Sequence, residues 1–130
     1  MEDRKSFTLV EMIAVLVIAG ILAAIAVPQY MLAVERSKNR EAISILKAIY
    51  QAEKMYALET EAGYTNDINK LDLEMPPAGG DWTYTITGTF TNATAVRTGG
   101  PSVRTWTVTP ASPIPVCTGG TAKYCQSRAD

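Results

Sequence analysis

The feature that most constrains this chain is a stretch of 23 residues, from Met12 to Val34, that contains no charged side chain. As an α-helix rising ~1.5 Å per residue it measures about 35 Å, enough to cross a hydrocarbon core of about 30 Å. A chain of 130 residues is too short to wrap such a helix on every side, which argues against a buried core helix. A cleaved secretory signal is the other alternative, but the apolar part is too long and contains no A-x-A-like cleavage site. The stretch therefore predicts a membrane-spanning helix that stays in the working protein.

Three residues in and beside this stretch do not suit an ordinary membrane anchor. Glu11 lies at its edge, and a carboxylate costs up to ~3 kcal/mol if it is carried to the bilayer centre. It either reaches back to the interface or is held for a cationic partner, most simply on another copy of the chain. Pro28 removes the amide that would bond to the Ala24 carbonyl, and Gly20 adds a second weak point. The helix thus carries features that anchoring alone does not require.

The N-terminal segment reads Lys5-Ser6-Phe7-Thr8-Leu9-Val10-Glu11 and continues into the apolar run with Gly20, Pro28 and Tyr30. This segment resembles the N-terminus of type IV pilins and type II secretion pseudopilins, and the similarity covers roughly residues 4 to 60. The resemblance implies an α+β pilin fold. In that fold a long N-terminal helix, half of it transmembrane or in the filament core, packs on a small antiparallel sheet of three or four strands, with a C-terminal disulfide loop.

The resemblance also implies roles for residues at the start of the chain. Prepilin peptidase would cut between Ser6 and Phe7 at the cytoplasmic face, and the new amine of Phe7 would be N-methylated. Ser6 departs from the glycine that the family prefers before the cut. Glu11 would pair with the N-terminal ammonium of a neighbouring subunit, and such a pair attracts more strongly when it is shielded from water. Gly20 and Pro28 would let the helix unwind locally as it moves from lipid into a filament.

Beyond Val34 the pattern changes to that of a helix and sheet in a small head. An amphipathic stripe, which includes Ala42, Leu46 and Ile49, predicts that the helix continues to residue 62. We therefore expect a leader at residues 1–6, a hydrophobic helix at 7–34 and an amphipathic helix at 35–62. A connecting loop follows at 63–81, with a helical turn from Asp67 to Leu71, and the sheet and disulfide loop occupy 82–130.

Alternating side chains predict the strands. Two segments, 82–87 and 103–108, alternate large apolar or charged residues with threonine and valine, and residues 89–97 provide a further strand. One face of this sheet is expected to lie on the helix, with Trp82 and Trp106 in the core. The tail from Pro110 is rich in proline and glycine, so it is expected to be irregular apart from the cysteines.

The two cysteines, Cys117 and Cys125, lie near the C-terminus, and the chain has no histidine. A bridge between them would close a small loop and would require an oxidising compartment, consistent with a head outside the cytoplasm. Type IV pilins have a C-terminal disulfide loop, whereas major pseudopilins commonly use calcium in that region. The tail holds one acid, Asp130, too few for a calcium site, so we expect no metal or other cofactor.

Charge is segregated along the head. Residues 59–81 contain six acidic residues and one lysine, whereas residues 82–129 contain four basic residues and no acid. One hypothesis is that the acidic loop of one subunit faces Arg97 and Arg104 in the sheet of the next. The alternative is pairing within one chain, or simple solvation.

These features predict a structural subunit and not an enzyme, because without histidine no Ser/His/Asp or Cys/His set exists. The leading interpretation is the major pilin of a type IV pilus used for adhesion, twitching motility or uptake. It would wait in the bacterial inner membrane and then join a cell-surface filament of its own copies. Prepilin peptidase, the pilus assembly machinery and minor pilins would be its partners. The alternative is a type II secretion pseudopilin or a minor or competence pilin, and DNA binding has only weak support from the basic residues near Trp82 and Trp106.

Overall fold

The computed structural model describes residues 8–76 and 80–125. A long helix, α1, comes first and is followed by a single 3-10 turn, four strands and a short second helix. The bounds are α1 Leu9–Thr60, the 3-10 turn Ile68–Lys70, β1 Thr83–Thr87, β2 Asn92–Arg97, β3 Arg104–Thr109, β4 Ser112–Thr118 and α2 Ala122–Cys125. The strands form one antiparallel sheet in the order β1-β2-β3-β4, so each strand pairs with its neighbour in sequence.

Helix α1 confirms the long helix expected from the sequence. It contains 52 residues. It ends at Thr60 rather than at residue 62, because Glu61 and Gly63 adopt positive φ angles of 52° and 81° that a helix cannot continue. The chain divides into two units at Val34 and Glu35, and α1 contributes residues to both.

In the second unit, α1 buries a single stripe of side chains at intervals of three and four residues. Three of these, Ala42, Leu46 and Ile49, are completely buried and belong to the predicted stripe. The stripe also contains polar residues that the sequence reading did not place in the interior, namely Glu35, Asn39 and Glu53. They lie on the same side of the helix as the buried apolar residues. Their spacing along the helix therefore indicates burial, although their polar side chains do not.

The inner face of the sheet contributes the other half of the core. Strand β2 supplies the small residues Ala93 and Ala95, and β3 supplies Trp106 and Val108. Alternate residues of these strands are buried, as the period of two predicts. Trp82 is buried too, with 6% of its surface exposed, so both tryptophans pack in the core as expected.

The tail departs from its prediction, because it contains strand β4 where an irregular segment was expected. Pro113 and Pro115 argued against a strand, since proline cannot donate to a ladder. Because β4 pairs with β3 alone, it forms an edge of the sheet, where one side of the strand needs no partner. The predicted strand at 89–97 is also shorter, beginning at Asn92. The chain turns at Gly88 and Phe90, whose φ angles are 61° and 53°.

Candidate functional site

The apolar part of α1 presents its side chains outward on every side. Every residue from Thr8 to Met31 is exposed, including large aliphatic ones such as Leu16, which is 71% exposed. By length and composition, this helix is the one in the described part of the chain that is able to cross a membrane. Exposure of such a continuous apolar surface to water is unfavourable, so we expect lipid or other protein to surround the segment.

Glu11 and Thr8 form a closed pair at the start of α1. The Thr8 amide and hydroxyl both donate hydrogen bonds to Glu11 Oε2 at 2.8 Å. The Glu11 amide donates in return to Thr8 Oγ1 at 3.3 Å. This is a capping box, which satisfies amides that the first helical turn leaves free. The sequence reading missed it, although the T-x-x-E spacing that defines the box is visible in the sequence.

The two predicted weak points lie inside a continuous helix. Both Gly20 and Pro28 fall within the bounds of α1, and a Cβ added at Gly20 meets no atom within 4 Å. The local unwinding expected on filament assembly therefore stays a prediction about the assembled state. The predicted cleavage and methylation site, Ser6 and Phe7, lies outside the described residues.

In the second unit, a carboxylate and two guanidinium groups meet in the interior. Glu35 Oε2 accepts a hydrogen bond from Arg97 Nη1 and a second from Arg104 Nη2, the latter at 2.6 Å. The side chains of both arginines are at most 2% exposed. Asp81 lies 3.5 Å from Arg97 and forms a 2.8 Å ion pair with Lys38 at the surface. The group therefore joins α1, the connecting loop, β2 and β3.

This arrangement overturns the hypothesis that Arg97 and Arg104 face the acidic loop of another subunit. Both arginines are buried and already paired within their own chain, so neither is available to a neighbour. Pairing within one chain, the alternative, is correct for these two residues. Local sequence patterns do not reveal this pairing, because the partner Glu35 lies more than 60 residues away among other charged residues at the end of the apolar stretch.

The environment sets the charge of this group. Burial alone would raise the pKa of Glu35, but hydrogen bonds and charge from Arg97 and Arg104 more than offset it. The pKa of Glu35 therefore lies below its ordinary value, and the carboxylate is ionised. The hydrogen bond from Lys38 likewise lowers the pKa of Asp81. A buried ion pair adds little net stability, but removal of one partner is costly because it leaves an uncompensated charge in the interior.

The disulfide loop is tied to the same group. Cys117 and Cys125 are bonded to each other, as expected, and no free cysteine remains. Asn39 Nδ2 donates to the Tyr124 carbonyl at 2.5 Å, and Asn39 Oδ1 accepts from Arg104 Nε at 2.7 Å. The disulfide therefore holds the chain's last described turn against α1.

A second buried carboxylate, Glu53, fastens the connecting loop. Its Oε2 atom accepts the Thr65 amide at 2.9 Å, while Oε1 is buried without a hydrogen-bond partner. Burial raises the pKa of Glu53, and the Thr65 hydrogen bond only partly opposes this. In the described part of the chain, no three acidic or cysteine residues come together in a way that could hold a metal ion. Glu53 thus connects α1 to the start of the connecting loop.

Comparison with known proteins identifies the N-terminal segment. Residues 1–27 match the family described as the prokaryotic N-terminal methylation motif. The chain is 37% identical over 83 residues to the type IV major pilin protein PilA of Myxococcus xanthus, covering 64% of this chain and 37% of that one. These matches support a type IV pilin. Its long helix, four-stranded antiparallel sheet and C-terminal disulfide fit the pilin fold.

Two other relatives show how widely the superfamily extends. The type IV wide pilus major component PilA4 of Thermus thermophilus is 24% identical over 106 residues, which cover 82% of this chain and 81% of that protein. The type II secretion system core protein G of Pseudomonas aeruginosa is 44% identical over 60 residues, covering 46% of this chain and 42% of it. The chain thus spans about two fifths of the length of the Myxococcus and Pseudomonas relatives. These relatives are named for filaments and secretion systems, and none for a catalyst.

Proposed function

We propose that this pilin is the major structural subunit of a type IV pilus. One observation carries the proposal: from Leu9 to Met31 α1 is exposed and apolar on all sides, apart from Glu11, Gln29 and the hydroxyl of Tyr30. The inner membrane would surround this segment before assembly, and the same segments of neighbouring copies would surround it in a filament. The pilus would lie at the cell surface, and the chain would have no catalytic role.

Processing would precede assembly. Prepilin peptidase would cut between Ser6 and Phe7 and leave Phe7 with a methylated amine, in keeping with the match to the methylation motif. The carboxylate of Glu11 would then bind the ammonium of Phe7 on a neighbouring subunit. The capping box supports this role, because Thr8 holds Glu11 in place while Oε1 is not engaged by Thr8. Pilus assembly proteins and minor pilins would be the remaining partners.

The second candidate is a type II secretion pseudopilin, favoured by the N-terminal similarity to core protein G. The bonded Cys117 and Cys125 support the pilus instead, since a disulfide fastens the tail where major pseudopilins commonly use calcium. DNA binding has little support, because Arg97 and Arg104 are buried together with Trp82 and Trp106.

The decisive experiment is to shear filaments from cells and determine their composition. A major pilin is expected to be the bulk polypeptide and to begin at methylated Phe7. Bulk filaments of another protein, with this one absent or present in traces, would refute the proposal.

Glu11→Gln separates the charge of Glu11 from its capping role. Glutamine also completes a capping box, so the helix start is retained while the negative charge is lost. We expect Glu11→Gln to insert into the membrane at the wild-type level but to give no filaments. Thr8→Ala, which removes the cap's hydroxyl and keeps the carboxylate, is the matched control and is expected to assemble. Normal filaments from Glu11→Gln would exclude the ion pair.

A further inference from the structure

One side of α1 in the second unit carries three basic residues that make no ion pair. Arg36, Arg40 and Lys47 are separated by four and seven residues, so they share one side of the helix, which we call the basic face. All three are exposed, and in the part of the chain that the structure describes no acidic group lies within ion-pair distance of them. Like charges four residues apart repel, so Arg36 and Arg40 together favour an acidic partner.

A pair of acidic residues in the connecting loop has the complementary arrangement. Asp72 and Glu74 are exposed, whereas Leu71 is buried and Leu73 and Met75 pack against the core. Asp72 and Glu74 are thus the acidic residues that this segment presents outward, and we call them the acidic pair. Among the described residues, neither takes part in an ion pair. The apolar residues beside them pack on the core of the head, so the acidic pair belongs to a segment that is held in place.

The spacing of the two sets of charges also corresponds. Arg36 and Arg40 lie about 6 Å apart along the helix axis. Two residues of chain span at most about 7 Å, which is an upper limit on the separation of Asp72 and Glu74, because the chain turns at Asp72, where the Leu73 amide donates to the Leu71 carbonyl at 2.8 Å. The acidic pair can therefore face both arginines at once. Glu59 and Lys70 line a shallow depression together with Asp72, so the acidic residues there outnumber the basic one by two to one.

We propose that the acidic pair of one copy binds the basic face of the next copy in the filament. The inference rests on the proposed function, since it requires that the chain polymerises. The two surfaces are different parts of the same head, so the contact is heterologous, and such contacts build open helical filaments when they do not close into rings. Electrostatic complementarity at exposed residues sets the register between neighbours more than it sets affinity.

Charge reversal with compensation tests this contact. Arg36→Glu/Arg40→Glu and Asp72→Lys/Glu74→Lys are each expected to lower the yield of sheared filaments about tenfold, because like charges are brought together. The variant that combines all four substitutions is expected to recover most of the yield. Glu41→Lys and Lys123→Glu, single reversals of exposed charges outside both surfaces, are the controls and are expected to leave the yield unchanged.

Cysteine cross-linking provides an independent measurement. A chain with both Arg40→Cys and Asp72→Cys is expected to give a ladder of linked subunits when its filaments are oxidised. Both native cysteines are already bonded to each other and so do not contribute. Lys123→Cys with Asp72→Cys is the matched control and is expected to give no ladder.

Each alternative has its own outcome. If wild-type chains form filaments but the reversals have no effect and no ladder appears, the inference is wrong and the proposed function stands. If wild-type chains form no filaments, the proposed function itself fails. If the arginine reversal only lowers the amount of subunit in the membrane and the compensating lysines do not restore filaments, the basic face binds anionic headgroups, which also overturns the inference.

Discussion

The Arg104 guanidinium donates a 2.6 Å hydrogen bond to the Glu35 carboxylate, although the two residues lie 69 positions apart in the sequence. This contact joins the first turn of α1 in the second unit to the third strand of the sheet. Arg97 shares the same carboxylate oxygen, so a single acidic side chain compensates two buried cations. Removing that acid would leave both arginines without their principal partner in the interior.

We therefore predict that Glu35→Gln lowers the free energy of unfolding of the head by about 3–5 kcal/mol, the usual effect of breaking a buried ion pair. Tryptophan fluorescence during urea unfolding of the full chain in detergent is the measurement, because both tryptophans lie in the head core. Lys38→Gln, which removes an ion pair at the surface, is the control and should cost about 1 kcal/mol or less. Equal losses of unfolding free energy in the two variants would show that the buried ion pair contributes no more to stability than the surface pair.

Much of the fold follows from pattern alone, because a period of 3.6 or 2 requires only neighbouring residues. The span, the stripe through Ala42 and Leu46, and the alternation around Trp106 were predicted for that reason. The disulfide followed from having two cysteines. What could not be predicted depends on contacts between distant residues, and the pairing of Glu35 with Arg97 and Arg104 is the clearest case. Strand β4 was not predicted because it contains prolines, which a strand tolerates only at the edge of a sheet, and its edge position is not visible in the sequence.

Glu53 is predicted to make the stability of the head fall as the pH rises. Its pKa in the folded chain is raised above the ordinary 4.5, so between these two values the folded chain binds more protons than the unfolded chain. The contribution of Glu53 to the free energy of unfolding is fully present below pH 4.5. It is lost as the pH rises through the pKa of Glu53 in the folded chain. Thermal melting as a function of pH should therefore show a flatter profile above pH 4.5 for Glu53→Gln than for the wild type.

Glu35 has the opposite sign and serves as the control for that experiment. Its pKa is lowered, so its contribution is present above the ordinary value of 4.5 and is lost as the pH falls below it. Glu35→Gln should therefore be less stable than the wild type by a constant amount above pH 4.5, and the slope of its profile should differ from the wild type only on the acid side. A change of slope above pH 4.5 in Glu35→Gln, or none in Glu53→Gln, would contradict the assignment.

Gly120 in the disulfide loop is predicted to tolerate no side chain. Its φ is +86°, and an added Cβ would lie 2.9 Å from the Val103 carbonyl oxygen. The left-handed conformation costs an alanine about 1–2 kcal/mol, and the collision adds to this cost. We expect Gly120→Ala to destabilise the head by about 2 kcal/mol or more in the fluorescence assay.

Two glycines distinguish the backbone and contact contributions to that effect. Gly119 has a φ of +77° but open space around a Cβ, so Gly119→Ala should show the conformational cost alone. Gly99 has open space and no positive φ, so Gly99→Ala should be close to neutral. If Gly120→Ala cost no more than Gly119→Ala, the loop would have room that the structure does not show.

The bond between Cys117 and Cys125 is predicted to stabilise the head by about 2.5 kcal/mol, the chain-entropy value for a loop of this size. Replacing both cysteines with serine should lower the free energy of unfolding by that amount and also free Tyr124 from Asn39. Urea unfolding of the double serine variant, followed by tryptophan fluorescence, is the measurement. An unchanged free energy of unfolding in that variant would contradict the prediction.

Pro28 gives a prediction about the transition from membrane to filament. In the single chain, α1 is continuous through Pro28, although the missing amide leaves the Ala24 carbonyl without its helical partner. Proline costs a helix about 3 kcal/mol relative to alanine, so Pro28→Ala should resist local unwinding without impairing insertion into the membrane.

We expect wild-type filaments imaged by electron cryomicroscopy to show a break in the helix between Gly20 and Pro28, and Pro28→Ala filaments to show altered packing. Gly20→Ala, which meets no neighbouring atom in the single chain, should show a weaker effect of the same kind. An unbroken helix across residues 20–28 in assembled wild-type filaments would contradict this role for Pro28, and the proline would then have to act before assembly.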